Sequence, residues 1–154
     1  MSKTEGTGLY TVSYPTAGLH LNGEEGRVST PAKILVVDDQ PLVLYTLRRF
    51  LAQQSHWEIY EAADGKAALD RVSEIDPDVV VLDIVMPGMN GLAAAKEIHR
   101  VAPRTKIILM SSYYSTQEAE MLAFFNDLFI PKSETATKLI PTINRLLPEK
   151  RQPH

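Results

Sequence analysis

The sequence contains no cysteine, which excludes disulfides, thiol nucleophiles and metal sites built on thiolates. No apolar run approaches the roughly 20 residues that a membrane-spanning helix needs, and no basic segment leads into an apolar one at the N-terminus. We therefore expect a cytoplasmic chain without a membrane span or a secretory signal. Positive charge is also scarce, because 16 Lys and Arg stand against 19 Asp and Glu. The resulting net charge of -3 argues against general binding of nucleic acid, so any anion must be met by a few local groups.

The 154 residues are enough for one domain with some excess. Residues 1–31 hold five of the eight glycines and show no sustained hydrophobic period, which predicts a flexible N-terminal extension in which Tyr10 to Tyr14 could pair locally. Residues 32–148 are predicted to form the folded domain, and residues 149–154 a C-terminal tail.

From Lys33 onward, short apolar runs alternate with amphipathic stretches. The runs are ILVV (34–37), WEIYEA, VVVL (79–82), KIILM (106–110) and LFI (128–130), and the stretches begin at PLVLYTL, GKAALDR, GLAAAKE, TQEAEML and TKLIPTI. Runs such as VVVL are too short for helices and too uniformly apolar for a one-sided sheet, so they are typical of a parallel sheet covered on both faces. The pattern predicts an α/β fold with a doubly wound five-stranded parallel sheet in the order 2-1-3-4-5, which is flavodoxin-like.

The helix and strand boundaries agree with this fold. Pro41 can take the first position of the first helix, and Asp64-Gly65 and Ser115-Thr116 are plausible helix starts. Pro131 in the last strand is tolerable because that strand lies at the edge of the sheet. Pro141 indicates that the last helix either begins near Ile140 or is kinked there.

Charged and hydroxyl side chains follow four of the five predicted strands. In a doubly wound sheet, ligands bind beyond the carboxyl ends of the strands, so the residues directly after each strand are the candidates for a site. These are Asp38 and Asp39 after the first strand, Asp83 after the third, Ser111 after the fourth and Lys132 after the fifth. Each has an ordinary alternative, such as a cap for the helix at Pro41, the start of a turn or a solvated surface position. Their joint position at one end of the sheet favours a functional site over several independent coincidences.

Three carboxylates within about 4 to 5 Å of one another repel by roughly 4 kcal/mol per pair at an effective dielectric near 20. A cation is therefore required, and a set of oxygen ligands without His or Cys suits Mg²⁺ better than Zn²⁺. Lys132 supplies a second positive charge. A carboxylate flanked by Mg²⁺ and an ammonium is set up to attack phosphorus, because both cations stabilise charge on the transferring oxygens. The hydroxyl of Ser111 could then bond a phosphoryl oxygen.

These residues resemble a receiver domain of the two-component response-regulator family. The matching segments occur in family order and at family spacing, and they are ILVVDDQP (34–41), VVVLDIVMPGMNG (79–91), ILMSS (108–112) and FIPK (129–132). The resemblance covers residues 32–148. DD or MPG alone would be weak, but the motifs together are highly specific.

The resemblance implies a phosphoacceptor and a metal site. Asp83 matches the phosphoacceptor. Asp39 matches the direct Mg²⁺ ligand, Asp38 a ligand that acts mostly through water, and the backbone carbonyl of Val85 the third protein ligand. Pro87, Gly88 and Gly91 would shape the loop beside Asp83.

The resemblance also implies a switch. Lys132 matches the lysine of the family, Ser111 the switch hydroxyl, and Phe129 the aromatic residue whose rotamer responds to phosphorylation. An ordinary core role on the edge strand fits Phe129 as well. The sequence departs from the family at Phe125-Asn126 and Leu128, where the family commonly has Gly-Ala and then glycine. It departs again at Ser133, where a cis proline is frequent and a trans Lys132-Ser133 bond is expected here.

A partner surface is also predicted. On the fourth helix, Met121, Phe124 and Phe125 exceed what one inward face requires, and Tyr113 and Tyr114 lie just before it. These side chains could cover the edge of the core. They could also form a docking or homodimer face near the fourth helix and the fifth strand.

The resemblance implies a stand-alone, chemotaxis-regulator-like response regulator. A sensor histidine kinase or phosphotransfer protein would phosphorylate Asp83, and the signal would pass to a downstream protein effector without direct nucleic-acid or membrane contacts. Only Pro148 to His154 follow the last helix, so no output domain is expected. Such a protein catalyses only its own phosphorylation and dephosphorylation and is not otherwise an enzyme.

Two rival functions use the same fold and similar residues. A metal-dependent phosphatase with an aspartate nucleophile usually carries a second carboxylate two residues after it, where this chain has Val85. A phosphorylation-independent interaction module would not need the complete acidic cluster.

Overall fold

The computed structural model describes residues 20–21, 28–112 and 128–149, and within them one five-stranded parallel sheet dominates. Its strands are β1 (Ala32–Val37), β2 (Trp57–Ala62), β3 (Val79–Asp83), β4 (Lys106–Ser111) and β5 (Leu128–Pro131). Their spatial order is 2-1-3-4-5, which confirms the predicted doubly wound sheet. In the centre of the sheet, Ile34 of β1 pairs with Ile59 on one side and with Val79 on the other.

Helices cover both faces of the sheet. They are α1 (Pro41–Leu51), α2 (Gly65–Ile75), α3 (Gly91–Val101) and a C-terminal helix (Thr135–Leu146). Leu47 of α1 and Leu139 of the C-terminal helix share one buried cluster, whereas Val72 of α2 and Ile98 of α3 share the other. The predicted fourth helix, TQEAEMLAFF, lies outside the described residues, as does its expected start at Ser115-Thr116.

The central strands are buried on both sides, as the uniformly apolar runs predict. All five residues of β3 are buried, and Asp83 is the last of them. Alternate side chains of a strand point to opposite faces, so Val79 and Val81 enter the cluster under α1 while Val80 and Leu82 enter the one under α2 and α3. A strand that is apolar up to its last residue therefore carries Asp83 to the carboxyl edge of the sheet.

The predicted helix starts are correct where the structure describes them. Pro41 is the first residue of α1. Asp64 caps α2 by accepting a hydrogen bond from the Ala67 N–H at 2.7 Å. The α3 cap was not among the predicted starts: Asn90 accepts a hydrogen bond from the Ala93 N–H at 2.9 Å.

The C-terminal helix begins at Thr135, earlier than the start near Ile140 that was one of the two alternatives predicted from the sequence. A start near Ile140 is wrong, because a 3-10 turn at Lys132–Glu134 leads directly into the helix at Thr135. Pro141 therefore lies inside the helix. The Lys132-Ser133 bond is trans, as expected, since the described residues contain no cis peptide bond.

Part of the predicted N-terminal extension forms a short antiparallel pairing between His20–Leu21 and Val28–Ser29. The remaining residues before Val28 lie outside the described part of the chain, including Tyr10 to Tyr14. Among the described helices, none combines the length and the apolar character that a membrane span demands.

The hydroxyl group of Tyr60, on the edge strand β2, has a raised pKa. Its O–H donates to Glu58 Oε2 at 2.8 Å, and the Arg71 guanidinium carbon lies 5.8 Å from its ring centroid. Burial, followed by the hydrogen bond and the charge of Glu58, raises the pKa of Tyr60 to about 12, although Arg71 acts in the opposite direction.

We predict that Tyr60 is still protonated at about pH 11, one unit above the usual tyrosine pKa. Because the folded pKa exceeds that of the unfolded chain, the stabilisation from this hydroxyl is complete below the ordinary value of 10.0 and is lost as the pH rises through about 12. NMR of ¹³C-labelled tyrosine rings measures the protonation directly. Glu58→Gln should move the midpoint back toward 10.0, and an ordinary midpoint in the wild type would contradict the assignment.

Candidate functional site

The carboxylates predicted from the ends of β1 and β3 lie together. Asp38, Asp39 and Asp83 each offer an oxygen atom, and these atoms all fall within 4.8 Å of one another. Asp38 is 1% exposed and Asp83 5% exposed, whereas Asp39 is half-buried. Adjacent parallel strands end at the same edge of the sheet, which is why residues 44 or more positions apart in the chain meet here.

Lys132 joins two of these carboxylates. Its Nζ donates to Asp38 Oδ2 at 2.9 Å and to Asp83 Oδ2 at 3.3 Å, and its side chain is 22% exposed. Lys132 directly follows β5 and is the first residue of the 3-10 turn. Because β3 lies between β1 and β5 in the sheet, Lys132 and Asp38 approach Asp83 from opposite sides. A charge-assisted contact of this kind is stronger than a neutral hydrogen bond.

Backbone amides fix the outer oxygens of the two buried aspartates. Asp38 Oδ1 accepts from the Gln40 N–H at 2.9 Å, and Asp83 Oδ1 accepts from the Val85 N–H at 3.2 Å. Gln40 is the N-cap residue of α1, and its side chain makes no capping bond. One oxygen of Asp38 therefore stabilises the turn before α1, and the other accepts the hydrogen bond from Lys132.

The electrostatic balance of the site leaves an excess of negative charge. Burial, and then repulsion by Asp38, raises the pKa of Asp83, while the charge and hydrogen bond of Lys132 and the Val85 N–H lower it. For Lys132, burial is the largest single influence and lowers the pKa, but the hydrogen bond to Asp38 and the attraction of both aspartates outweigh it and the pKa is raised overall. One ammonium against three carboxylates leaves a formal charge of -2.

The start of α3 packs directly against the backbone at the end of β3, and the contact is too close for a side chain at Gly91. The Gly91 N–H donates to the Ile84 carbonyl at 2.9 Å, which brings α3 against the backbone of Asp83. A Cβ at Gly91 would overlap the Asp83 carbonyl oxygen and lie 2.7 Å from Ile84 Cα. Gly88 in the same loop has φ +76°, the left-handed region that glycine adopts without strain.

The other residues singled out from the sequence lie around this cluster. Ser111 is 1% exposed and ends β4, next to the end of β3. Phe129 is half-buried on β5 and packs against the cluster under α2 and α3, which agrees with its ordinary core alternative. The Val85 side chain is 53% exposed beside Asp83. The aromatic residues of the predicted partner surface, from Tyr113 to Phe125, lie outside the described residues together with Asn126.

Thr135 was not singled out from the sequence, although it anchors Lys132. Its hydroxyl donates to the Lys132 carbonyl at 2.7 Å, and its N–H donates to the same oxygen. A threonine three residues after a lysine that leads into a helix is the available signal, since Thr hydroxyls commonly bond backbone carbonyls at that spacing.

The donor set fits a hard divalent cation. All of the converging ligand atoms are carboxylate oxygens, the described residues place no sulfur or imidazole among them, and the charge excess calls for a further cation. Oxygen ligands of this kind are those that Mg²⁺ prefers, with waters completing the shell.

Comparison with known proteins points to one family. The family described as "Response regulator receiver domain" matches residues 34–144. The chain is 36% identical over 80 residues to the chemotaxis protein CheY of Thermotoga maritima, covering 52% of this chain and 67% of that protein. It is 28% identical over 117 residues to the response regulator protein VraR of Staphylococcus saprophyticus, covering 75% of this chain but only 56% of that protein.

A solved structure agrees in fold. The response regulator TrrA of Thermotoga maritima, in complex with Mg²⁺ and BeF, aligns with a TM-score of 0.67 at 35% identity, covering 75% of this chain and 99% of that one. The chain thus spans little more than half the length of VraR.

Proposed function

Because the chain belongs to the response regulator receiver domain family, we propose that it is a phosphorylation switch in which Asp83 accepts a phosphoryl group. The observation that carries this proposal is the Lys132 ammonium placed between Asp38 and Asp83 in a cluster of three carboxylates. The donor is a sensor histidine kinase or a phosphotransfer protein. The partner that receives the signal is a protein effector, and the setting is the cytoplasm, without direct contact with nucleic acid or membrane.

The carboxylates of Asp38, Asp39 and Asp83 would hold the metal ion together with the backbone carbonyl of Val85, and the ion that suits these oxygen ligands is Mg²⁺. When bound, this ion neutralises negative charge on the transferring oxygens. The protein's own residues hold the geometry. The Val85 N–H fixes one oxygen of Asp83, and the Gln40 N–H does the same for Asp38.

In the proposed transfer, an oxygen of Asp83 forms a P–O bond while the P–N bond of the donor phosphohistidine breaks and its electron pair stays on the imidazole. Lys132 Nζ lies 3.3 Å from Asp83 Oδ2. It is therefore close enough to stabilise negative charge on the carboxylate before the transfer and on the new phosphoryl group after it. Partial burial of the site strengthens this attraction relative to bulk water.

The acyl phosphate then shifts a conformational equilibrium. Ser111 supplies the hydroxyl that bonds the phosphoryl group, and Phe129 changes its rotamer on β5. We propose that the receiver unit spans residues 32–148, flanked by an extension (1–31) and a tail (149–154). Its output face includes β5 and the predicted fourth helix, through which a homodimer would form, although the helix lies outside the described residues.

A phosphatase acting on external phosphoesters is the weaker candidate. An enzyme of that kind needs an acid or base close to its nucleophile, and the residue two positions after Asp83 is the apolar and exposed Val85. We propose that the chain catalyses only its own phosphorylation and dephosphorylation.

Incubation with Mg²⁺ and a small acyl-phosphate donor separates the candidates. The switch predicts one phosphoryl group per chain by intact-mass measurement, with slow release of phosphate afterwards. Continuous release of phosphate from an added phosphoester would identify a phosphatase. Absence of any adduct under conditions in which a known receiver is labelled would identify a phosphorylation-independent interaction module.

We also predict that Mg²⁺ raises the thermal stability of the protein, because it binds the folded site and not the unfolded chain. Asp39→Ala should remove this increase, measured as the shift in melting temperature between EDTA and saturating Mg²⁺. Asp64→Ala serves as the control. It deletes the α2 cap and lowers the baseline by about 1 kcal/mol, yet should keep the full increase. Equal stabilisation of Asp39→Ala and the wild type would refute the metal assignment.

A further inference from the structure

A cavity of about 350 Å³ lies between α1 and the beginning of the C-terminal helix. Val43 and Leu47 of α1 form one wall, and Val81 and Met110 of the sheet form the floor. Leu42, whose side chain is exposed, also lines the cavity. The volume is at the lower end of the range of small-molecule sites, about 300 to 1,000 Å³, so it suits a compound with a single ring or a short alkyl chain.

The acidic cluster contributes to the lining of this largely apolar cavity. Asp38, Asp83 and Lys132 all line it, and two carboxylates against one ammonium leave a formal charge of -1. The third carboxylate, Asp39, lies within 4.8 Å of the other two and adds to the negative potential. A ligand in the cavity therefore meets aliphatic side chains along its body and net negative charge at its tip.

The donors that line the cavity are largely committed to the protein. The Thr46 hydroxyl donates to the Leu42 carbonyl at 2.8 Å, and the Thr135 hydroxyl donates to the Lys132 carbonyl at 2.7 Å. Lys132 uses two of its three ammonium hydrogens on the aspartates. What remains open to a ligand is chiefly acceptor capacity on carboxylate and hydroxyl oxygens.

We infer that this cavity binds small amphipathic cations, in which a primary ammonium or amidinium group is attached to an apolar body. The charged group contacts the carboxylates of Asp38 and Asp83, and the apolar body lies between α1 and the sheet. An anionic compound of the same shape is repelled, and a neutral one gains only the burial of its apolar surface.

Regulation follows if the proposed metal site is correct, and this part of the inference rests on the proposed function. An organic cation and Mg²⁺ draw on the same carboxylates, so each weakens the binding of the other by the same factor. A bound organic cation would thus oppose phosphoryl acceptance at Asp83.

The inference is tested with three probes of nearly identical shape: benzylamine, benzyl alcohol and benzoate. Titrations in EDTA at low salt are followed by methyl NMR of Met110 and Leu47, which both line the cavity. The amine should bind at least about tenfold more tightly than the alcohol, since one ion pair at a partly buried site exceeds that factor. Benzoate should bind most weakly. Equal affinities for the three probes, or no response of these methyl groups to the amine, would overturn the inference.

A pair of variants on α1 locates the binding. Val43→Phe fills the cavity and should weaken benzylamine binding by about tenfold or more. Tyr45→Ala removes an exposed side chain of the same helix that does not line the cavity, and should leave the affinity unchanged. Equal affinities of the two variants would contradict this location. The wild-type comparison of probes stands even if Val43→Phe fails to fold.

Addition of Mg²⁺ separates this inference from the proposed function. Saturating Mg²⁺ should reduce the preference for the amine over the alcohol to within about threefold, because the ion cancels the charge that produced it. If the amine is still preferred to the alcohol by tenfold at a Mg²⁺ concentration that stabilises the wild type, the organic cation and Mg²⁺ do not compete for the same carboxylates. If the amine binds but Mg²⁺ does not stabilise the protein, the metal proposal fails and the cavity assignment stands.

Discussion

Replacement of Asp83 by asparagine is expected to abolish phosphoryl incorporation and, in the absence of divalent ions at pH 7, to make the folded protein more stable. The first effect follows because an amide has no carboxylate oxygen to attack phosphorus. The second follows because burial and the charge of Asp38 raise the pKa of Asp83, which means that folding disfavours its ionised form. Close carboxylates repel by roughly 4 kcal/mol at an effective dielectric near 20, and the lost contact with Lys132 offsets most of this, leaving a gain of about 1 kcal/mol.

The pH dependence distinguishes this explanation from a general packing effect. A raised pKa means that the cost of ionised Asp83 is present at pH 7 and disappears as the pH falls through the folded pKa toward the ordinary value of 3.8. Urea unfolding in EDTA should therefore show Asp83→Asn above the wild type at pH 7 and a shrinking difference in acid. Asp64→Asn is the matched control, because asparagine caps a helix as well as aspartate does. A destabilised Asp83→Asn at pH 7 would show that Lys132 overcompensates the repulsion.

Replacement of Gly91 by alanine is expected to destabilise the protein by about 3 kcal/mol or more, because the new methyl group would press on backbone and not on a movable side chain. The atoms that it would meet are the Asp83 carbonyl oxygen and carbon, the latter at 2.8 Å, and Ile84 Cα. Relief requires α3 to move away from β3, which would also displace the Asp83 carboxylate. We therefore expect a loss of Mg²⁺ stabilisation in the fraction of Gly91→Ala that still folds.

Gly88→Ala provides the comparison within the same loop. A Cβ at Gly88 meets nothing within 4 Å, so the cost is limited to the left-handed backbone at φ +76°, about 1 kcal/mol. Denaturant unfolding of both variants measures the difference. Equal destabilisation would mean that the close approach of α3 to β3 does not determine the stability of this loop.

The order of the sheet could be predicted because its central strands are unambiguous. Runs such as Val79 to Leu82 are apolar without alternation, so only a sheet covered on both faces can bury them, and right-handed crossovers then leave few arrangements. The acidic cluster could be predicted for a related reason, since parallel strands end at one edge of the sheet. The position of Asp38, Asp39 and Asp83 thus follows from topology more than from local sequence.

Features that depend on side-chain geometry could not be predicted in this way. The double anchoring of Lys132 by Thr135 arises from a 3-10 turn whose length the sequence does not specify. The sequence does not specify the helix start at Thr135, because Pro141 is usually a helix breaker. In the structure, Leu139 and Ile143 are buried on either side of Pro141 in the cluster that they share with residues of α1, which stabilises the helix around the proline. The cavity beside Asp83 exists because the side chains of α1 and of the sheet leave space between them. The hydrophobic pattern of a sequence does not show how completely packed side chains fill such a space.

The position of the phosphoryl group within the chain decides whether Asp83 is the phosphoacceptor. After treatment with Mg²⁺ and an acyl-phosphate donor, the acyl phosphate is reduced with borohydride to leave a stable mark, and the peptides are mapped by mass spectrometry. We expect a single mark on Asp83, absent when Mg²⁺ is withheld. A mark on Asp38 or Asp39, or labelling of Asp83 that is equally fast without Mg²⁺, would contradict this expectation.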